Sequence, residues 1–245
     1  LRHLCISDSA YKDLTGFPYM IYGDMIFFFD FAAAKQIEAD LNKAGYRVTF
    51  GNVDKDAFKT EIAHMYRNGY KKIRFMDGKM EPFVVEREEL YPYEEFFKDD
   101  YITNPGLQAA MLNYFQEFRK QAPLENRGDI LKRREQIMID MMLNAEYMVP
   151  CVMEETEEEV EISHHFIDIT DRVTEKEEGE HVIAIPVFTD GFEMDKCYEG
   201  HHENMLYKFD ELVSLMDELG ASGIIINCLG ISYFMRTALM KKILK

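Results

Sequence analysis

The chain has little positive charge: 28 lysines and arginines stand against 45 aspartates and glutamates, a formal net charge of −17. Non-specific nucleic-acid binding needs a basic surface that displaces counterions, and an anionic membrane surface attracts the same kind of surface, so the balance counts against both. The excess acid reads as a solubility feature, with a basic protein partner as its other use. No apolar run approaches the roughly 20 residues of a membrane span. Tryptophan is absent, and the four cysteines (Cys5, Cys151, Cys197, Cys228) include no C-x-x-C. That spacing excludes a zinc ribbon and is too sparse for a disulfide-stapled secreted scaffold, so reduced thiols are expected. The opening "LRHLCISDSAYKDL" has no apolar h-region and reads as something other than a signal peptide. A cytoplasmic location is expected, with the true N-terminus left open because the chain begins at Leu1.

What is present is a chain of 245 residues, 47% hydrophobic and 13% aromatic, enough for one large core or two modest ones. "MIFFFDF" (25–31) reads as a buried strand, and "AAAKQIEADLNKAG" as a helix stopped at Gly45. "YRVTFGNV" (46–53) reads as a strand. "DKDAFKTEIAHMYRNG" reads as a helix with Phe58, Ile62 and Met65 on one face and Gly69 after its last turn. "KKIRFMDG" (71–78) then gives a strand and an Asp-Gly turn, with "KMEPFVV" as a hairpin partner. "NPGLQAAMLNYFQEFRK" (104–120) has Leu107, Met111, Phe115 and Phe118 at helical spacing behind Asn104–Pro105. "QAPLENRGD" (121–129) is the best linker, which divides the chain into domains of residues 1–122 and 123–245.

The second half opens with a helix and a strand, "ILKRREQIMIDMMLNAEYMVPCVME", with Pro150 near their junction. The acidic run "EETEEEVE" (154–161) reads as a solvated loop or hairpin tip, and "SHHFIDITDRV" as a possible further strand. "HVIAIPVF" (181–188) is the strongest strand. "YKFDELVSLMDELG" carries an apolar stripe of Phe209, Leu212, Val213, Met216 and Leu219, and leads into "GASGIIINCLGISYF" (220–234). The halves share a frame. With Phe58 set on Phe209, Met65 meets Met216, Gly69 meets Gly220, Ile73 meets Ile224, Asp77 meets Cys228 and Phe83 meets Phe234. The fold class expected is therefore α/β (α+β-like), two similar small domains, each a mixed sheet packed with helices.

Candidate chemistry is thin. After Ile226 only Gly230 follows, so neither a dinucleotide fingerprint nor a phosphate loop is present. Cys228 has no base nearby in sequence and reads as structural, as does Phe234 in the core. The pairs His164–His165 and His201–His202 lack any zinc-enzyme spacing and read as exposed loop histidines, with no metal expected at any of the four. His64 and His181 take surface or helix-flank positions. Asp77 and Asp190 lie in "MDGK" and "TDGF" and read as Asp-Gly turns. Met141, Met142, Met148 and Met153 read as core filler. No catalytic, cofactor-binding or metal-ligating residue is assigned, and no cofactor is expected.

Over roughly residues 129–245 the chain resembles the SseB-like family. The resemblance rests on Val149–Pro150, on Pro186–Val187–Phe188–Thr189 with acidic residues after it, and on the helix and strand that end at Ile226–Asn227. Cys228 stands where the family usually has proline. "FDFAAAKQIEADL" resembles the strand and helix of the extra α/β half that precedes this domain in some bacterial members. The resemblance implies an α/β fold and supplies no catalytic residues. The expectation is a bacterial protein acting by protein–protein interaction or as a regulatory accessory, with an enzyme or small-ligand binder using the inter-domain cleft as the alternative.

Overall fold

The structure is a computed structural model, which describes residues 2–6, 24–46, 48–76, 81–98, 100–123, 125, 127–155, 160–199 and 202–245. The fold is α/β and comprises two compact units, Leu1–Met138 and Ile139–Lys245. Unit 1 packs helices on one five-stranded mixed sheet, whereas unit 2 has a three-stranded antiparallel sheet and a four-stranded mixed sheet joined by a single bridge.

Unit 1 runs β1 (Arg2–Ile6), β2 (Asp24–Phe28), α1 (Phe31–Lys43), β3 (Val48–Asn52), α2 (Lys55–Asn68), β4 (Lys72–Met76), β5 (Phe83–Glu86), α3 (Arg87–Leu90) and α4 (Pro105–Phe118). The strand order is β3-β1-β2-β4-β5, with β2 and β4 parallel and every other neighbour antiparallel. All five residues of β2 are buried, as its unbroken apolar run dictates for a central strand. Asp30 and Asp54 start α1 and α2 by accepting the N–H groups of Ala32 and Ala57. Ile62 and Met65 are fully buried on α2, which packs against α4. On α4 the expected face holds at Leu107, Met111 and Phe115, but Phe118 is exposed, because the helix ends there.

Past α4 the chain is fastened back to that helix by Arg134 and Arg127. Arg134 donates to the Asn113 carbonyl at 2.6 Å. Arg127 donates to the Glu117 and Ala122 carbonyls, and its guanidinium lies 3.5 Å from the Glu117 carboxylate, both side chains being buried. Arg127 and Ala122 of the polar stretch are thus fastened to the end of α4. The division between the units falls inside the next helix, α5 (Gly128–Leu143).

Unit 2 continues with β6 (Glu146–Glu155), β7 (Val160–His164), β8 (Ile167–Asp168), β9 (Ile183–Val187), α6 (Gly191–Asp195), β10 (Asn204–Lys208), α7 (Phe209–Leu219), β11 (Gly223–Ile226), β12 (Tyr233–Arg236) and α8 (Thr237–Ile243). β10 pairs with the first half of β6, and β7 with its second half. β9 and β11 are parallel, with β12 antiparallel beside β11 and β8 beside β9. Met148 and Phe188 exchange both backbone hydrogen bonds, at 2.9 Å each, and so join β6 to β9. The order β10-β6-β9-β11-β12 therefore repeats β3-β1-β2-β4-β5. Pro150 lies within β6 and not at the helix–strand junction, since β6 is ten residues long. Met142 is buried and Met148 packs on the core, whereas Met141 is exposed.

The repeat extends to details. Phe28 pairs with Arg2 at the β2–β1 seam as Phe188 pairs with Met148, and Asp30 and Asp190, two residues on, each cap the following helix. Gly69 and Gly220 both end their helices in the left-handed region, at φ 75° and 64°. β4 and β11 begin at matched positions. The second strand of each hairpin then slips by one residue. Ile73 pairs with Val85 but Ile224 with Met235, so Phe83 corresponds to Tyr233 and not to Phe234. The burial agrees, since Val85 and Met235 are the buried residues of their strands. Glu86 and Arg236 share φ −67° and ψ 141° and 143° before the final helix. Phe234 is half-buried, because the slip moves it off the innermost position.

Candidate functional site

Two places concentrate features that core packing does not require. The first lies where β2 and β4 end in unit 1. Phe29, just past β2, stacks on Phe75 of β4 at 5.6 Å, and Phe75 stacks on Phe83 of β5 at 6.2 Å. Phe75 also touches the buried Phe27, which rests on Phe58 of α2. The row therefore starts in the core and runs outward, where Phe29 and Phe83 are 65% and 67% exposed. Val84 beside it and Phe31 at the start of α1 are exposed as well. β5 is the last strand of its sheet among the described residues, so one side of its backbone pairs with β4 and the other faces away from the sheet. Glu81, Glu86, Glu88 and Glu89 flank the two exposed apolar residues.

The second place is the same position in unit 2, at the ends of β9 and β11, where the sequence substitutes polar groups for the aromatic row. Thr189, Asp190, Glu193 and Asn227 are all buried there. Asn227 Oδ1 accepts the Thr189 N–H at 3.0 Å, and its Nδ2 donates to Thr189 Oγ1 at 2.9 Å. Asp190 is the N-cap of α6, accepting the Glu193 N–H at 2.9 Å, and not the Asp-Gly turn expected of it. Lys196 Nζ reaches Glu193 Oε1 at 2.7 Å.

Cys228 follows Asn227, and the sequence placed no second thiol near it. The structure corrects this: Cys197, one turn beyond α6, puts its Sγ 2.8 Å from that of Cys228. Cys228 is buried in the core with Ile225, Phe188 and Met194, while Cys197 is half-buried. The thiol that Cys228 shares with Cys197, with the Leu229 N–H and the Lys196 ammonium nearby, pulls Cys197 below the usual thiol range. Cys228 goes the other way, since sharing with Cys197 and burial both disfavour its thiolate. Asp77, its counterpart in the frame of the repeat, lies outside the described residues, as does His201.

The remaining histidines are not the exposed loop residues the sequence suggested. His164 ends β7, half-buried, with Nε2 3.1 Å from the Tyr207 hydroxyl. His165 and His202 both pack on the Tyr198 ring, at 5.3 and 5.1 Å. Strand alternation sends His164 and His165 to different neighbours, and among the described residues no group of three or more His, Cys, Asp or Glu side chains is arranged to hold a metal ion. No described helix is long and apolar enough to cross a membrane.

Neither cysteine carried a local signal, because their 31-residue separation is closed only by the α6–β10–α7–β11 path. The exposed phenylalanines had a weak one: "IFFFDF" holds more aromatics than a five-residue central strand can bury. No protein-family model, no curated protein and no solved structure matches the chain.

Proposed function

We propose that this is a non-catalytic, cytoplasmic bacterial protein of the SseB-like kind, which works as a regulatory accessory by binding another protein along the β5 edge of unit 1. The observation that carries this reading is the row in which exposed Phe29 and Phe83 stack on half-buried Phe75, beside β5, the edge strand of its sheet among the described residues. Large aromatics side by side at a sheet edge supply contact area, and the outward backbone groups of β5 supply a ladder for an extended segment. Glu86 and Glu88 are taken up by Lys72 and Arg87 at 2.8 and 2.7 Å, so the exposed carboxylates at 81 and 89 and the net charge of −17 select the partner: an extended segment with apolar residues alternating with basic ones. The same charge argues against nucleic acid and anionic membrane as partners. Pro186–Thr189 at the end of β9 and Asn227 after β11 support the family reading, because each stands at a strand end of the repeated unit.

Synthetic peptides of alternating leucine and lysine, and matched peptides of leucine and glutamate, test it. The lysine series is expected to shift the backbone amide resonances of Phe83–Glu86 and the glutamate series to leave them in place. Phe83→Ser is expected to weaken binding about tenfold or more. Equal binding of both series, binding of neither, or a dimer in sedimentation that Phe83→Ser dissolves would each overturn the reading.

A further inference from the structure

The cysteine pair in unit 2 goes beyond a binding role. Two sulfurs in ordinary contact lie well over 3 Å apart, and a disulfide brings them to about 2 Å. At 2.8 Å, the Cys197 and Cys228 sulfurs are already inside contact distance with both thiols free. The two sit on opposite sides of one junction. Cys197 follows α6 in a turn whose N–H bonds Met194, and Cys228 follows β11 in a turn closed by the Gly230 N–H on the Asn227 carbonyl at 2.7 Å. Both backbones are held by these bonds, and the two sulfurs face each other at 2.8 Å. Their surroundings differ in the way a reacting pair needs. Cys197 is half-buried beside the exposed Lys196, whereas Cys228 is buried among Ile225, Phe188 and Met194.

We propose that Cys197 and Cys228 form a reversible thiol–disulfide centre that exchanges with low-molecular-weight disulfides, Cys197 attacking and Cys228 resolving. In the first step the Cys197 thiolate attacks one sulfur of the small disulfide. That S–S bond breaks, one thiolate leaves, and a mixed disulfide remains on Cys197. In the second step Cys228 gives its proton to the departing thiolate and attacks Cys197 Sγ. The mixed disulfide breaks, and the second small thiol leaves. Two electrons pass from the protein dithiol to the small disulfide, which ends as two thiols, and the same steps reversed reduce the centre. The lowered pKa of Cys197 suits the attacking role, and the burial of Cys228 keeps it from reacting directly with solutes.

The test equilibrates the full chain in buffers of graded reduced-to-oxidised glutathione ratio, quenches with acid, alkylates and reads masses. At the oxidising end, two of the four cysteines are expected to escape alkylation, with a peptide map that links Cys197 to Cys228 within one chain. Return to reducing buffer is expected to restore all four. Cys228→Ser is expected to accumulate one glutathione on Cys197, which the wild type does not, and Cys197→Ser to leave Cys228 unmodified. Should Cys228→Ser fail to fold, the wild type carries the test alone: Cys197 is expected to alkylate faster at neutral pH than Cys228 and Cys151. Full alkylation in the most oxidising buffer, a link through Cys5 or Cys151, a link between chains, or slow alkylation of Cys197 would overturn the proposal.

Discussion

Asn227 and Thr189 hold the ends of two parallel strands together, the asparagine side chain accepting one backbone N–H and donating to one hydroxyl. Both residues are fully buried, and Asn227 adopts φ 50°, a left-handed conformation that asparagine tolerates better than most residues. Its own N–H bonds the Val187 carbonyl at 2.9 Å, so the position is fixed from both chain and side chain.

Two substitutions separate these contributions. Asn227→Gly keeps the left-handed backbone but strands the Thr189 N–H, for a loss of about 1–3 kcal/mol in urea unfolding. Asn227→Ala loses the same bonds and adds roughly 1–2 kcal/mol of backbone strain. Equal losses for the two variants would show that the backbone conformation costs alanine nothing here.

The two helix-ending glycines offer a matched comparison. A Cβ on Gly220 meets nothing within 4 Å, so Gly220→Ala carries only the left-handed penalty of about 1–2 kcal/mol. A Cβ on Gly69 would press into the Pro105 carbonyl and the Ala109 methyl of α4. Gly69→Ala is therefore expected to lose roughly 1–3 kcal/mol more, by forcing α2 and α4 apart. Thermal or urea unfolding of the pair checks the order, and a larger loss at Gly220 would contradict the account of α2–α4 packing.

His164 supplies a pH dependence. Burial lowers its pKa, outweighing the opposing pull of the Pro150 carbonyl and Glu218, and the neighbouring His165 lowers it further. A histidine that resists protonation when folded contributes stability that is present above its unfolded value of about 6.5 and is lost as pH falls toward the folded value. The urea midpoint is thus expected to drop on going from pH 7 to pH 5, and to drop less in His164→Asn, which retains a polar partner for Tyr207. An imidazole resonance of His164 titrating at or above 6.5 would reverse the sign and remove the effect.

Periodicity made the skeleton legible. The aromatic and isoleucine runs at 25–28 and 223–226 are central strands because nothing else buries such runs on both faces. The helices before Gly69 and Gly220 showed in their apolar stripes and stop signals. Two short elements did not show. "NMLYK" is a strand only because β6 pairs with it, and the five residues of α6 are a helix because Asp190 caps them where the sequence suggests a turn. The one-residue slip that sets Phe83 against Tyr233 was invisible as well, since it depends on cross-strand pairing and not on spacing along the chain. Contacts such as Thr189–Asn227 and Cys197–Cys228 span 38 and 31 residues, and only the folded path brings them together.

The Met148–Phe188 pair has a counterpart in Arg2–Phe28, and in both units this seam is the briefest strand contact of the repeated order. In unit 2 the two strands part on one side of the Met148–Phe188 pair, where β7 pairs with Cys151–Glu155 of β6 and β8 pairs with Ile183–Ala184 of β9. The β7–β8 excursion thus occupies the gap while β10-β6-β9-β11-β12 keeps the order of β3-β1-β2-β4-β5. A joint of one or two residue pairs can open to admit extra strands while the strands on either side keep their neighbours, so this seam is where one sheet order tolerates an insertion.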